Sequence, residues 1–93
     1  MITAKTESGF SIELEDDALE DQELFDAISG MQDGNVFDMS HLTLRLLGKE
    51  GRKKLYDHLR TPDGRVPVAK VAEALGELMN SFTAGKNSAS SPN

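Results

Sequence analysis

The sequence predicts a mainly helical α+β fold, in which a small N-terminal β-hairpin packs on a compact bundle of about four helices. Three observations predict this class. Apolar residues recur at every second position in the N-terminal segment and at every third or fourth position in the segments that follow. Glycine and proline cluster where these patterns change. The 93 residues, 38% apolar and 28% charged, are enough for one modest core.

The N-terminal segment is predicted to form the hairpin. Phe10, Ile12 and Leu14 alternate with polar residues, which is the period of a half-buried strand. Ile2 to Thr6 supplies a partner strand, and Ser8-Gly9 lies between the two strands. Because a lone hairpin is marginally stable in water, this one is expected to pack on helices.

The first helix is predicted to begin at Asp16 or Asp17. Asp17 and Glu20 have the spacing of a capping box, and acidic residues suit the positive end of a helix dipole. The inward stripe of this helix is predicted to consist of Leu24, Phe25, Ile28 and Met31. The helix is expected to end near Met31, before the turn-forming Asp33-Gly34-Asn35.

Two shorter helices are predicted next. Asp38 and Ser40 are both candidates for the cap of the second helix, and Gly48 is expected at a C-terminal cap or a kink. The third helix runs to about Arg60, with Leu55 and Leu59 facing inward one turn apart. The inward residues of the second helix are Met39, Leu42, Leu46 and Leu47.

The last helix has the most regular pattern. Thr61-Pro62-Asp63-Gly64 predicts a turn, and Pro67 suits the first turn of the helix that follows. The segment 83–93 is small and polar, and it is predicted to be a disordered tail. Residues 1–82 are therefore predicted to form a single helical domain with the hairpin at about 2–14. The apolar stripe of the last helix comprises Val68, Val71, Ala72, Leu75, Leu78, Met79 and Phe82.

The predicted core is drawn from these inward faces, because burial of apolar side chains is the main force that drives folding. Its members are Phe10, Ile12, Leu14, Leu24, Ile28, Leu42, Leu46, Leu55, Leu59, Val71, Leu75 and Leu78.

Charge is distributed unevenly along the chain. Residues 1–40 hold eleven acids and one base, whereas residues 41–93 hold nine bases and five acids. Halves of opposite charge favour intramolecular packing or head-to-tail self-association, and solvated faces that merely differ in charge are a third interpretation. The basic residues are few, and Tyr56 is the aromatic residue that lies among them. This composition disfavours nucleic-acid binding.

Composition and spacing exclude several kinds of site. The lack of cysteine excludes disulfides, thiolate zinc sites and cysteine nucleophiles. A secretory signal is not visible, and no apolar stretch approaches the ~20 residues of a membrane span, so a cytoplasmic location is expected. The spacing around Asp63-Gly64 does not supply the oxygen ligands of a calcium-binding loop.

No catalytic, cofactor or metal site is predicted, and the chain is expected not to be an enzyme. His41 and His58 lack a zinc-binding spacing, and neither is recognisably paired with a nucleophile or an orienting carboxylate. The carboxylates of residues 13–26 form one contiguous run, which suits a helix start and solubility better than a metal site. An acidic docking face for a basic partner is the other interpretation of this run.

The stripe of the last helix belongs mainly to the core, but its length also suits a second subunit or a groove for a client helix. Leu78, Met79 and Phe82 are the predicted partner-binding residues. Met79 and Phe82 are expected to be partly exposed, because they lie near the outer end of the stripe, and large side chains dominate binding energies.

Five blocks within residues 3–82 carry a resemblance to a known family. The blocks are Thr6–Phe10 with Ile12 and Leu14, Asp21–Ile28, Leu46–Gly51, Lys54–Leu59 and Asp63–Pro67. They resemble the small tail assembly chaperones encoded by tailed phages and prophages of Gram-positive bacteria. The chain departs from that family in Met39–Thr43 and in its tail, which is rich in serine and asparagine.

The resemblance implies a non-enzymatic protein of the bacterial host cytoplasm that binds the long tape-measure protein, or another tail component, during tail assembly. It also implies that a longer form made by ribosomal frameshifting is common in the family. It identifies no contact residue. The alternative, from a different class, is an acidic regulatory or inhibitory protein that docks a basic partner through residues 13–26.

Overall fold

The computed structural model of the chain describes residues 1–32 and 37–90, with side chains described for 1–30 and 38–85. Two strands and three helices occur in this part of the chain. They are β1 (Ile2–Lys5), β2 (Ser11–Leu14), α1 (Gln22–Gln32), α2 (Phe37–Leu59) and α3 (Val68–Ser90). The prediction of a mainly helical chain with an N-terminal hairpin is confirmed.

β1 and β2 form an antiparallel hairpin in which Ile2 pairs with Leu14 and Ala4 pairs with Ile12. Ala4 and Leu14 are buried, and Ile2 and Ile12 are half-buried. These four residues share one face of the hairpin, because side chains alternate between the two faces of a strand. The period-2 pattern therefore identified the inward face correctly.

The hairpin turn is closed through Thr6. Its backbone N–H donates to the Phe10 carbonyl at 2.8 Å, and the Phe10 N–H donates to Thr6 Oγ1 at 3.1 Å. Gly9 has a φ of 97°, a left-handed conformation that glycine adopts at no steric cost. Thr6 is buried, so its hydroxyl satisfies a turn that would otherwise leave backbone groups without partners.

α3 lies along the free edge of β1. The Lys5 N–H donates to Ser81 Oγ at 3.0 Å, and the Glu7 N–H donates to Glu77 Oε1 at 3.1 Å. Glu77 and Ser81 are one helical turn apart, so one side of α3 supplies the acceptors for the N–H groups of both Lys5 and Glu7. Unpaired strand edges invite pairing with other chains, and α3 protects this one.

α1 begins at Gln22 and not at Asp16 or Asp17 as predicted. Asp21 is the cap, because its Oδ1 accepts a hydrogen bond from the Glu23 N–H at 3.0 Å. The predicted capping pair instead belongs to a turn in which the Glu20 N–H donates to the Asp17 carbonyl at 2.9 Å. The side chain of Met31 and the predicted turn Asp33-Gly34-Asn35 lie outside the described residues.

α2 begins at Phe37, so Asp38 and Ser40 lie within the helix and do not cap it. Gly48 has φ 74° and ψ 176°, which is not helical, and the predicted kink is confirmed. This backbone region is open almost only to glycine. The described residues form three helices and not the predicted four, because the predicted second and third helices are the segments 37–47 and 49–59 of one bent element.

α3 continues to Ser90, eight residues past Phe82, where the sequence predicted a disordered tail to start. No proline occurs between Val68 and Ser90, and extending an existing helix is far easier than starting one. At Gly85, a Cβ atom would lie 2.9 Å from Ile2 Cγ2, so glycine lets the helix approach β1 closely. The last predicted tail residues, 91–93, lie outside the described residues.

The described residues group into two compact units. The first unit comprises Met1–Asp16 with Leu55–Asn93, and the second comprises Asp17–Lys54. That residues 1–82 form a single domain stays a prediction. The buried apolar residues of the first unit are Ala4, Phe10, Leu14, Leu55, Val71, Ala74, Leu75, Leu78 and Phe82. Those of the second unit are Leu24, Ala27, Leu42, Leu46 and Leu47.

The predicted core is buried except at three positions. Ile12, Ile28 and Leu59 are half-buried, whereas the other nine predicted residues are buried. Two residues placed on inward stripes are exposed: Phe25 is 60% and Val68 is 62% exposed. The assignment of these two side chains to inward faces is therefore wrong.

Candidate functional site

The structure places the three predicted partner-binding residues differently from one another. Leu78 and Phe82 are 0% and 1% exposed, so both belong to the core of the first unit. Met79 alone of the three is half-buried and reaches the surface. The expectation that Phe82 is partly exposed is wrong, because α3 continues past it and Phe82 lies on the same side of the helix as Leu75 and Leu78.

Val68, Ala72 and Met79 form an apolar line that we term the α3 flank. With about 100° of rotation per residue, these residues lie to one side of the buried stripe, and Glu77 and Ser81 lie to the other. Since Glu77 and Ser81 accept hydrogen bonds from the β1 edge, the flank lies on the side of α3 that faces away from the hairpin. Val68 is exposed, and Ala72 and Met79 are half-buried.

A second arrangement joins the hairpin turn to the end of α2. His58 Nε2 lies 3.0 Å from Ser8 Oγ, and the His58 ring lies 5.6 Å from the Phe10 ring at an interplanar angle of 47°. Ser8 Oγ also lies 2.9 Å from Thr6 Oγ1. The hydroxyl of Ser8 is thus shared within the turn, and the cluster fastens the turn to the last residues of α2. The contact between Ser8 and His58 was not predicted, because the two residues are 50 positions apart in the sequence.

His41, the other histidine, is exposed on α2. Asp63 and Gly64 lie in a turn where the Gly64 N–H donates to the Thr61 carbonyl at 2.9 Å and Gly64 has a φ of 88°. Arg60 Nη1 donates to the Gly64 carbonyl at 3.0 Å and so ties this turn to the end of α2. Across the described residues, no group of three or more acidic or histidine side chains is placed to hold a metal ion.

The start of α1 is an acidic surface that Arg45 of α2 contacts. Arg45 on α2 forms an ion pair with Asp21 and lies 3.6 Å from Glu23. The hydrogen bond from Arg45 is the main reason why the pKa of Asp21 lies below its ordinary value of 3.8, and the N–H of Glu23 lowers it further. Asp21 therefore caps α1 and also joins α1 to α2 within the second unit.

We expect Arg45→Gln to raise the pKa of Asp21 towards 3.8, because it removes the main group that favours the carboxylate. A lowered pKa in the folded state stabilises the fold above the unfolded pKa, and this stabilisation is lost as the pH falls through the folded pKa. Acidification through this window should then destabilise the wild type more than the variant. The carboxyl chemical shift of Asp21, followed by NMR during a pH titration, measures the change directly.

Arg60→Gln is the matched control, because Arg60 pairs with Asp57 at 3.2 Å and not with Asp21. The Arg60→Gln variant should leave the pKa of Asp21 unchanged. An Asp21 pKa that does not move in Arg45→Gln would contradict the ion pair between α1 and α2.

Phe25 lies on α1 next to this acidic surface and points outward. Leu24 and Ala27 are buried and mark the inward side of α1. Phe25 lies about 100° round the helix from Leu24 and further still from Ala27, so it turns away from the core. Near Phe25, Gln22 Nε2 donates to Asp26 Oδ1 at 2.9 Å. An aromatic side chain and a carboxylate therefore share one exposed part of the helix.

No helix in the described part of the chain has the length and apolar character needed to cross a membrane. Comparisons with known proteins add no relative: no family model, no curated protein and no solved structure matches the chain.

Proposed function

We propose that this chain is a non-enzymatic tail assembly chaperone that binds a phage tape-measure protein, or another tail component, in the cytoplasm of a bacterial host. The proposal starts from the resemblance of residues 3–82 to that family. The structural observation that supports it is the α3 flank, which presents Val68, Ala72 and Met79 on a helix whose opposite side is held by the hairpin.

The flank has the spacing that an amphipathic client helix requires. Its three residues are four and seven positions apart, so they lie along one line of α3 and match apolar residues that recur every three or four positions in a partner helix. Val68 supplies an exposed branched side chain, and Met79 supplies an unbranched one that adapts to different neighbours. Covering the apolar side of a client in this way keeps the client soluble until it is assembled.

The direct test is co-expression with the tape-measure protein of the same phage or prophage, followed by pull-down. The double variant Val68→Ser with Met79→Ser should weaken capture at least tenfold, because it removes apolar contact area from the flank. Asn80→Ser is the matched control, since Asn80 is exposed on the same helix but about 100° further round from Met79. Circular dichroism of each variant shows whether the fold is kept.

Salt dependence distinguishes the acidic-regulator alternative. Apolar capture should persist well above ~0.15 M salt, whereas charge-driven docking through residues 13–26 should be lost. A soluble tape-measure protein that stays unbound contradicts the proposal. So does salt-sensitive binding that is unaffected by the flank variant. Sedimentation of the free chain measures self-association, which the charge distribution leaves open.

A further inference from the structure

Phe25 is the largest exposed apolar side chain of the second unit among the described residues, with 60% of its surface in solvent. Phenylalanine is usually buried, because contact between its large apolar ring and water is unfavourable. Its exposure does not follow from a failure of α1 to pack, since Leu24 and Ala27 on the same helix are 1% and 3% exposed.

The surface around Phe25 is polar and acidic. Gln22, Asp26 and Ser29 are exposed and lie within one turn of Phe25 on α1. Residues 17–32 contain five acids and no base, so the field over this surface is negative.

Arg45 partly compensates the acidic residues at the start of α1. It pairs with Asp21 and approaches Glu23, both at the start of α1. Asp26, one turn further on, is hydrogen-bonded to the amide of Gln22, which is a neutral donor and leaves the negative charge of the carboxylate in place. The charged carboxylate of Asp26 therefore lies on the residue next to the exposed ring.

We propose that Phe25 and Asp26 form a docking surface for a cationic amphipathic helix of a partner protein. An arginine of that helix would lay its guanidinium on the face of the Phe25 ring and pair with the Asp26 carboxylate, while apolar residues of the helix cover the ring edge. The charge of the surface selects this occupant: an acidic or neutral helix would cover the ring but would leave Asp26 facing a like charge or no charge. This surface is distinct from the α3 flank, and the proposal does not depend on the tail-assembly function.

The test uses the full chain and a synthetic amphipathic helical peptide built from leucine and arginine, with binding measured by calorimetry. We expect Phe25→Ala to weaken binding about tenfold, which corresponds to ~1.4 kcal/mol. Asp26→Asn should weaken binding several-fold and reduce its dependence on salt. Thr3→Ala is the control, because it truncates an exposed side chain of the first unit that belongs to neither the α3 flank nor the Phe25 surface, and it should leave peptide binding unchanged.

Three results would overturn the proposal. One is equal affinity for the cationic peptide and for a peptide with glutamate in place of arginine. Another is equal loss of binding in Phe25→Ala and Thr3→Ala, which would mean that the loss is not specific to the Phe25 surface. The third comes from sedimentation equilibrium: a wild-type dimer that Phe25→Ala dissociates would assign the surface to a second copy of this chain. Asp26→Asn keeps the test decisive if Phe25→Ala lowers the melting midpoint.

Discussion

Phe82→Ala is expected to lower the free energy of unfolding by ~3–5 kcal/mol, because it removes a large side chain from the core and leaves a cavity. Phe82 is 1% exposed. It follows Ser81, which bonds to the β1 edge, and precedes Gly85, which lies close to Ile2. Small domains are stable by only about 5–15 kcal/mol, so this loss is a large share of the total. Urea unfolding followed by circular dichroism measures it.

Val68→Ala is the comparison for Phe82→Ala, since it shortens an apolar side chain of the same helix that is 62% exposed. A surface substitution of this kind usually changes stability by no more than ~0.5 kcal/mol. Unchanged stability of Phe82→Ala together with a loss of client binding would contradict the core position of Phe82. It would support the surface role that the sequence predicted.

Leu75→Ala is expected to lower the free energy of unfolding by ~2–5 kcal/mol, because it also leaves a cavity in the core. Leu75 is 0% exposed, and its neighbours on the inward side of α3 are Val71 and Leu78. Leu75→Met is the matched control: it keeps the apolar volume and should cost less than ~1.5 kcal/mol. Thermal unfolding of both variants gives the difference, and a melting midpoint that is the same in Leu75→Ala and wild type would show that α3 is not docked at this point.

The periodicity of the sequence predicted the hairpin, the helices and most of the core, because alternation by two and by three or four residues reflects geometry directly. It failed at Phe25 and Val68 for a related reason. Phe25 follows Leu24 immediately, and neighbouring residues on a helix point about 100° apart, so only one of them can face the core centrally. Val68 lies at the first turn of α3 and to one side of its buried stripe.

Phe82 was assigned to the surface for a different reason. The polar residues after it predicted the end of the helix, and the end of an apolar stripe is where exposure is expected. Because α3 continues to Ser90, Phe82 lies well within the helix. The expected partial exposure is therefore confirmed for Met79 and wrong for Phe82, and the choice of both as binding residues stays a prediction.

Small and polar buried residues were missed altogether. Ala4, Ala27 and Ala74 are at most 3% exposed, but alanine is common on both buried and exposed faces and so gives a weak signal. Thr43 is fully buried, and its hydroxyl donates to the Met39 carbonyl at 2.6 Å, a bond within the helix that no periodic pattern reveals.

The arrangement of the first unit has a consequence for synthesis on the ribosome. Its hairpin is translated first and its helix α3 last, with the whole contiguous second unit between them. Distant segments must close a long loop before they gain any contact energy, so the nascent hairpin waits while residues 17–54 can already associate with one another. The N–H groups of Lys5 and Glu7 obtain their acceptors only when Glu77 and Ser81 have emerged. Until then these N–H groups bond to water, and a β1 edge that forms early can pair with another chain.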